Sequence, residues 1–174
     1  SGALTAPGAL PAQTLLTQEE ALELAFPAPT RVERRTAYLT DAELARAREL
    51  AGDDVALEQG VITYYAGTRD GRPAGVAYFD AHRVRTKSEV VMVVVDRDAR
   101  VRRVDVLKFT EPPEYRAPDA WIRQLHDRAL GPSLAVGEAV GNLTGATLTA
   151  RAMTRAVRRV LALHAVIRPF GEAP

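Results

Sequence analysis

Six consecutive residues, Thr144-Gly145-Ala146-Thr147-Leu148-Thr149, place three hydroxyls and a glycine directly before a stretch of helical period. A helix N-terminus exposes unpartnered backbone N–H groups and the positive end of the helix dipole, and glycine lets the main chain approach a ligand closely. Such a segment suits a phosphate group. A threonine hydroxyl held there can become the attachment oxygen of a phosphoester, provided another enzyme supplies the activated phosphoryl group, because the hydroxyl alone is unreactive. The same string also fits a plain helix start, since threonine is a common N-cap and glycine a common turn residue. Chance gives only about 0.02 strings of the form Ser/Thr-Gly-Ala-Ser/Thr in a chain of this composition, so the match carries weight without deciding between the two.

A second segment, Thr110-Glu111-Pro112-Pro113-Glu114-Tyr115, cannot be α-helical, because each proline lacks a donor and restricts the residue before it. It offers a carboxylate acceptor on a stiff loop. The flat faces of Tyr115 and Trp121 suit either stacking on an aromatic ring or packing in the core. Elsewhere the chemistry is thin. His82, His126 and His164 lie far apart and outside any H-x-x-x-H or H-E-x-x-H pattern, so no metal site is expected. Asp80 with His82, and His126 with Asp127, supply acid–base types, but Ser88 and Ser133 lack the context of a nucleophile elbow, and no catalytic residue is assigned. Arg151, Arg155, Arg158 and Arg159 form a basic stripe that suits a solvated helix face, an acidic redox partner or a membrane surface.

The elements that must position these segments are legible in outline. Thr17 with Glu20, and Thr40 with Glu43, have capping-box spacing, which predicts a short helix ending near Pro27 and a second running to about Ala51 with Gly52 as its stop. Val61 to Gly67 and Pro73 to Phe79 flank the turn Arg69-Asp70-Gly71, and Val90 to Val95 is followed by a returning strand marked by Val101, Val104, Val106 and Leu107. Residues 119 to 128 suit a helix carrying Ile122 and Leu125. Ala150, Met153, Val157, Leu161 and His164 recur at three- and four-residue intervals on a long final helix. The expected fold is α+β: an antiparallel sheet of two hairpins packed by helices, with a long C-terminal helix. Residues 1–16, a mixture of Gly, Pro and small side chains, read as a flexible leader or tether, and residues 17–174 as a single domain.

Composition excludes several classes. The 174 residues are 47% hydrophobic, so the chain can bury a core without staples. It has no cysteine, which removes disulfides, thiolate metal sites and a cysteine nucleophile while leaving the compartment open. A net charge of +1 gives no field that would draw it onto nucleic acid, and no nucleic-acid partner is expected. The chain opens at Ser1-Gly2 without methionine, so the expectation is a trimmed or mature form, which leaves room for a removed export segment or membrane anchor.

The string Thr144 to Thr147 resembles the attachment motif of the FMN-binding domain family, whose members include the covalent-flavin subunits of the Rnf and sodium-translocating NADH:quinone reductase complexes. In that family the final threonine carries FMN through its phosphate. The resemblance therefore implies covalent FMN at Thr147, with Thr144, Gly145 and Ala146 completing the motif and Leu148 and Thr149 beside the cofactor. The motif's position before a closing helix agrees, and the likeness extends loosely from Val61 to Leu163. Gly141, followed by Asn142, stands where the family usually has aspartate. Thr110-Glu111-Pro112-Pro113 is similar to the family's loop after the second hairpin, which lies near the flavin. That similarity implies that Glu111 accepts a hydrogen bond from the isoalloxazine or from a backbone donor, with Tyr115 close by. The resemblance further implies an electron carrier rather than a stand-alone enzyme, matured by a flavin transferase and serving redox partner proteins in an exported, periplasmic or membrane-associated chain. Two other expectations stay open: a cofactor-free binding or assembly module on the same fold, favoured by Gly141, and a reductase with noncovalent FMN, which the lack of a G-x-G-x-x-G nucleotide fingerprint does not encourage.

Overall fold

The computed structural model describes residues 14–171. The expected leader falls mostly outside them, and its last residues lie along the sheet, with the Leu15 N–H donated to the Leu107 carbonyl at 2.8 Å. Both capping boxes form. In α1 (Gln18–Ala25) Thr17 Oγ1 accepts from the Glu20 N–H at 3.1 Å, and in α2 (Asp41–Ala51) Thr40 Oγ1 accepts from the Glu43 N–H at 3.1 Å. Gly52 ends α2 with a φ of 100°, a conformation that side chains disfavour.

Five strands, β1 (Arg31–Tyr38), β2 (Val61–Arg69), β3 (Arg72–Arg83), β4 (Ser88–Val95) and β5 (Val101–Phe109), make one antiparallel sheet in chain order. The two expected hairpins are the β2–β3 and β4–β5 pairs. The structure joins them through a third, because β3 continues past Phe79 to Arg83 and pairs with β4 as far as Arg83↔Ser88. β1 adds a fifth strand on the outer edge, paired with β2 from Arg31↔Thr68 to Tyr38↔Val61. Its largely exposed, charged sequence gives little alternating hydrophobic signal.

Beyond β5 the proline segment closes one 3-10 turn, Pro113–Tyr115, with proline where its missing donor costs nothing. α3 (Asp119–Ile122) is shorter than the expected helix and tightens into a 3-10 turn, Arg123–Leu125. It stops there because the chain turns to meet β5: Asp127 donates to the Val101 carbonyl at 2.7 Å and Val101 to that of Arg128 at 2.9 Å. α4 (Thr147–Ile167) closes the fold. Among the described residues no helix is long and apolar enough to cross a membrane.

The continuous apolar run of β4 reflects a sheet covered on both faces. Val91, Val93 and Val95 face α4 together with Tyr78, Met153, Val157 and Leu161, while Met92 and Val94 face α1 with Ala21, Ala25 and Phe26. α4 is itself covered twice, since Ala162 and Leu163 pack on Ala47, Ala51, Val55 and Leu57 of α2 and its loop. Polar groups also fix it. Arg159 Nη1 donates to both Asp80 oxygens at 2.9 Å, Asp80 pairs with His82 Nδ1 at 3.0 Å, and His82 Nε2 pairs with Glu89 Oε2 at 2.8 Å.

Two buried histidines are tuned in opposite senses. Burial disfavours a charge on His82, but hydrogen bonds to Asp80 and Glu89 outweigh it and push its pKa up to about 9. Asp80 is buried as well, yet His82 and Arg159 hold its carboxyl below the usual range. His164 has no acid in hydrogen-bond reach; its Nδ1 shares a hydrogen bond with Tyr78 Oη at 2.9 Å, and burial lowers its pKa to about 4. The His82 contribution is complete below its unfolded value near 6.5 and is lost as pH rises through 9. The His164 contribution is complete above 6.5 and is lost as pH falls through 4. Thermal unfolding followed across pH should therefore show a maximum near pH 6.5, with each limb worth up to about 3 kcal/mol. His82→Gln should flatten the alkaline limb and His164→Phe the acid one; limbs that survive these changes would remove the assignment.

Gly67 offers a simpler test of the α1 face. A Cβ there would lie 2.6 Å from two ring atoms of Phe26, which is buried. Gly67→Ala should cost about 1–3 kcal/mol in chemical denaturation, because the ring cannot retreat without opening the α1 contact.

Candidate functional site

α4 starts without a cap. Its N-cap residue is Ala146, which has no side-chain acceptor, and neither Thr144 nor Thr147 takes that role. The N–H groups of Thr147, Leu148 and Thr149 meet no acceptor among the described residues; the first bond of the helix is Ala150 N–H to the Ala146 carbonyl at 3.1 Å. Gly145, at φ 81°, makes the turn into the helix in open space. The start of the longest helix is thus an unfilled set of donors at the positive end of a 21-residue dipole.

The three hydroxyls in this segment differ. Thr149 is buried, and its Oγ1 donates to the Tyr115 carbonyl at 2.6 Å, which ties α4 to the 3-10 turn. Thr144 and Thr147 are exposed, and neither hydroxyl makes a hydrogen bond among the described residues. Leu148 is 49% exposed, an apolar side chain left outside the core.

Gly145 to Thr149 form one wall of a cleft of about 320 Å³ whose other walls are Glu111, Tyr115, Val84 and Arg85. The β3–β4 hairpin tip supplies the last two, and the loop after β5 supplies Glu111. A small apolar cluster of Val84, Phe109 and Ala152, joined by Val106, binds that tip to α4. Glu111 locks the two loops together: its Oε1 accepts from the Thr86 N–H at 2.7 Å and the Lys87 N–H at 2.8 Å. These backbone donors hold its carboxyl below the usual range.

All eight residues singled out in the sequence, Thr144 to Thr149 with Glu111 and Tyr115, lie in or next to this cleft; of these Thr144 is not itself a lining residue. Trp121 lies apart, buried in the main core with its Nε1 donating to the Gly141 carbonyl at 2.9 Å. The Gly141 N–H is taken by Gln124 Oε1 at 2.8 Å, and a Cβ at position 141 would come within 2.9 Å of that oxygen. Val84 and Arg85 escaped sequence reasoning. The basic run Arg83-Val84-Arg85-Thr86-Lys87 was visible, but nothing in it says that it is a hairpin tip folded back over the start of α4.

The donor set and the lining fit a flavin phosphate and ring. Three free N–H groups, the dipole and the Arg85 guanidinium suit an anion, while Val84, Ala146, Leu148 and Tyr115 give an apolar, half-open surface for a flat ring system. Residues 87–162 match the family model of the FMN-binding domain. That stretch belongs to the FMN-binding domain family. No curated protein and no solved structure matches the chain. The FMN-binding domain spans β4, β5, the connecting loops and most of α4, so Glu111, Tyr115 and Gly145 to Thr149 fall inside it and Val84 and Arg85 just before it.

Because Glu111 has a lowered pKa, the lock it provides is complete above the ordinary carboxyl value near 4.5 and is lost as pH falls through the lowered one. Hydrogen exchange of the Thr86 and Lys87 amides should accelerate together in acid, and Glu111→Ala should accelerate both at neutral pH. Unchanged exchange in the variant would show that the hairpin tip is held by something else.

Proposed function

We propose that this FMN-binding domain carries FMN covalently, as a phosphoester on Thr147, and relays electrons between partner proteins. The observation that carries the proposal is the uncapped N-terminus of α4, which presents the exposed Thr147 hydroxyl at the edge of the cleft. Bound FMN supplies the redox chemistry, in one- or two-electron steps. The chain's part is to bind and orient. The Thr147, Leu148 and Thr149 N–H groups would hold the phosphate, the Arg85 guanidinium would supply countercharge, Gly145 would leave the approach open, and Tyr115 and Leu148 would offer apolar surface to the ring. Glu111 keeps the two loops at their spacing.

Attachment forms a bond between Thr147 Oγ1 and the flavin phosphorus, releases the hydroxyl proton and breaks the bond from that phosphorus to the group that activated it. Free FMN carries no activated leaving group on its phosphorus, so a flavin transferase working from an activated flavin nucleotide is the maturation partner. A tethered cofactor suits an exported, periplasmic or membrane-associated setting, where lost FMN is not readily replaced. In this reading the electron donor and acceptor are other proteins, and the chain itself turns over no substrate.

The rival is a cofactor-free binding or assembly module. Its support is the Gly141 position, where Gln124 and Trp121 take both backbone groups and no carboxylate is present.

Coexpression with a flavin transferase followed by intact-mass measurement should show a gain of one FMN less one water, located on the peptide containing Thr147. Thr147→Val should abolish the gain, Thr147→Ser should keep it, and both should leave the melting temperature close to that of the parent. An unmodified Thr147 under conditions that flavinylate another family member rejects covalent carriage. Saturable FMN binding in that case retains a noncovalent flavoprotein, steady NAD(P)H oxidation by the isolated domain makes it a reductase, and absence of any binding favours the rival.

A further inference from the structure

A second, larger opening lies where the sheet splits. The β2–β3 ladder runs only from Tyr65↔Ala77 to the turn at Arg69↔Arg72, so Val61 to Tyr64 pair with β1 alone and Tyr78 to Arg83 with β4 alone. The two unpaired edges line a common cleft of about 880 Å³, whose mouth also carries Ala56 to Gln59 and residues of α4. Every second residue of a strand turns its N–H and C=O toward a given edge. The six residues of β3 therefore leave about three residues' worth of donors and acceptors facing the opening, with a shorter set from β2 opposite. Open edges of this kind template the pairing of another strand unless a proline, a bulge or a covering element blunts them. Neither Val61 to Tyr64 nor Tyr78 to Arg83 contains proline.

The charge around the opening selects the partner. Arg34, Arg83, Arg155 and Arg159 line it, against Glu58 and Asp80. Asp80 is already held by Arg159 and His82. Arg34, Arg83 and Arg155 make no hydrogen bond or salt bridge among the described residues, and Asp54, whose charge acts on Arg155 through space, is hydrogen-bonded to Arg158 instead. Arg155 is half-buried in this state. Arg34 follows the sheet face of Tyr65, whose register partner on β1 it is, whereas Arg155 comes from α4 on the opposite face. A strand entering the gap sends alternate side chains to the two faces, so acidic side chains on either face of it meet an unpaired guanidinium.

We infer that the split between β2 and β3 is a docking site for an extended acidic peptide segment of a partner protein, which completes the sheet by strand addition. At about 3.3 Å per residue the β3 edge accommodates some six residues of such a segment. Residues 1–13 of this chain carry no acidic side chain, so they lack the complementary charge. The site uses none of the residues around Thr147 and stands independently of the flavin.

Full-length protein should be titrated with a synthetic peptide of about eight residues alternating Glu and Thr, with binding read by fluorescence anisotropy and by amide hydrogen exchange. The expected result is salt-sensitive binding with new protection confined to alternate amides of Val61 to Tyr64 and Tyr78 to Arg83. Arg155→Glu and, independently, Arg34→Glu should each weaken binding on the order of tenfold, with Arg151→Glu on the exposed side of α4 leaving it unchanged. Four outcomes overturn the inference. The Lys-for-Glu peptide or a proline-interrupted peptide binds equally well; inorganic phosphate alone gives the same protection, which makes the cleft a small-anion site; the free protein dimerises with those edge amides already protected, which gives the edges to a second copy; or protection falls elsewhere.

Discussion

A helix that leaves its first N–H groups without acceptors loses stability at that end, and it keeps its place only if the rest of its length is firmly seated. α4 meets this condition by being covered on two sides. The sheet takes Met153, Val157 and Leu161, and α2 takes Ala162 and Leu163, so twelve of its 21 residues are buried. Alanines at 150, 152, 156 and 162 let the neighbouring layers come close without voids. The open end at Ala146 is thereby held against the β3–β4 hairpin tip, and the cleft exists because two loops from distant parts of the chain are brought to it by a helix that cannot shift.

Apolar packing alone would leave α4 free to turn about its axis or slide by a fraction of a turn. The chain of Arg159, Asp80, His82 and Glu89 removes that freedom, since the guanidinium reaches both oxygens of one carboxylate at fixed distances. Buried ion pairs cost desolvation and are weak sources of stability unless each member is satisfied. Here Glu89 Oε1 is buried and without a hydrogen bond among the described residues, so the network is incomplete at its far end. Its value lies in setting register: the helix that presents Thr147 and the strand pair that presents Arg85 are tied to one another through groups that tolerate little displacement.

The sequence made the helices legible because their signals are local. Thr17 with Glu20, and Thr40 with Glu43, announce their own N-termini, and the three- and four-residue recurrence from Ala150 to His164 marks α4. The turn into that helix at Thr144 to Thr149 was legible for the same reason. The missing parts are those decided by tertiary partners. β1 is an edge strand whose side chains stay mostly in solvent, so no alternation marks it. The end of β3 carries Asp80 and His82, polar residues that enter the interior only because Arg159 and Glu89 meet them there. Without that extension the hairpin tip, and with it Val84 and Arg85, could not be placed over the start of α4, nor could the backbone amides that Glu111 accepts be named.

Thr149 shows how a fold can discriminate among identical functional groups. Three secondary alcohols of the same intrinsic reactivity lie within six residues, yet the backbone gives each a different fate: Thr149 is engaged by the Tyr115 carbonyl, Thr144 precedes the turn, and Thr147 stands at the helix entrance beside vacant donors. An electrophile that arrives as an anion therefore meets a hydroxyl withdrawn at Thr149 and one presented beside vacant donors at Thr147, so chemically equal groups are unequal targets.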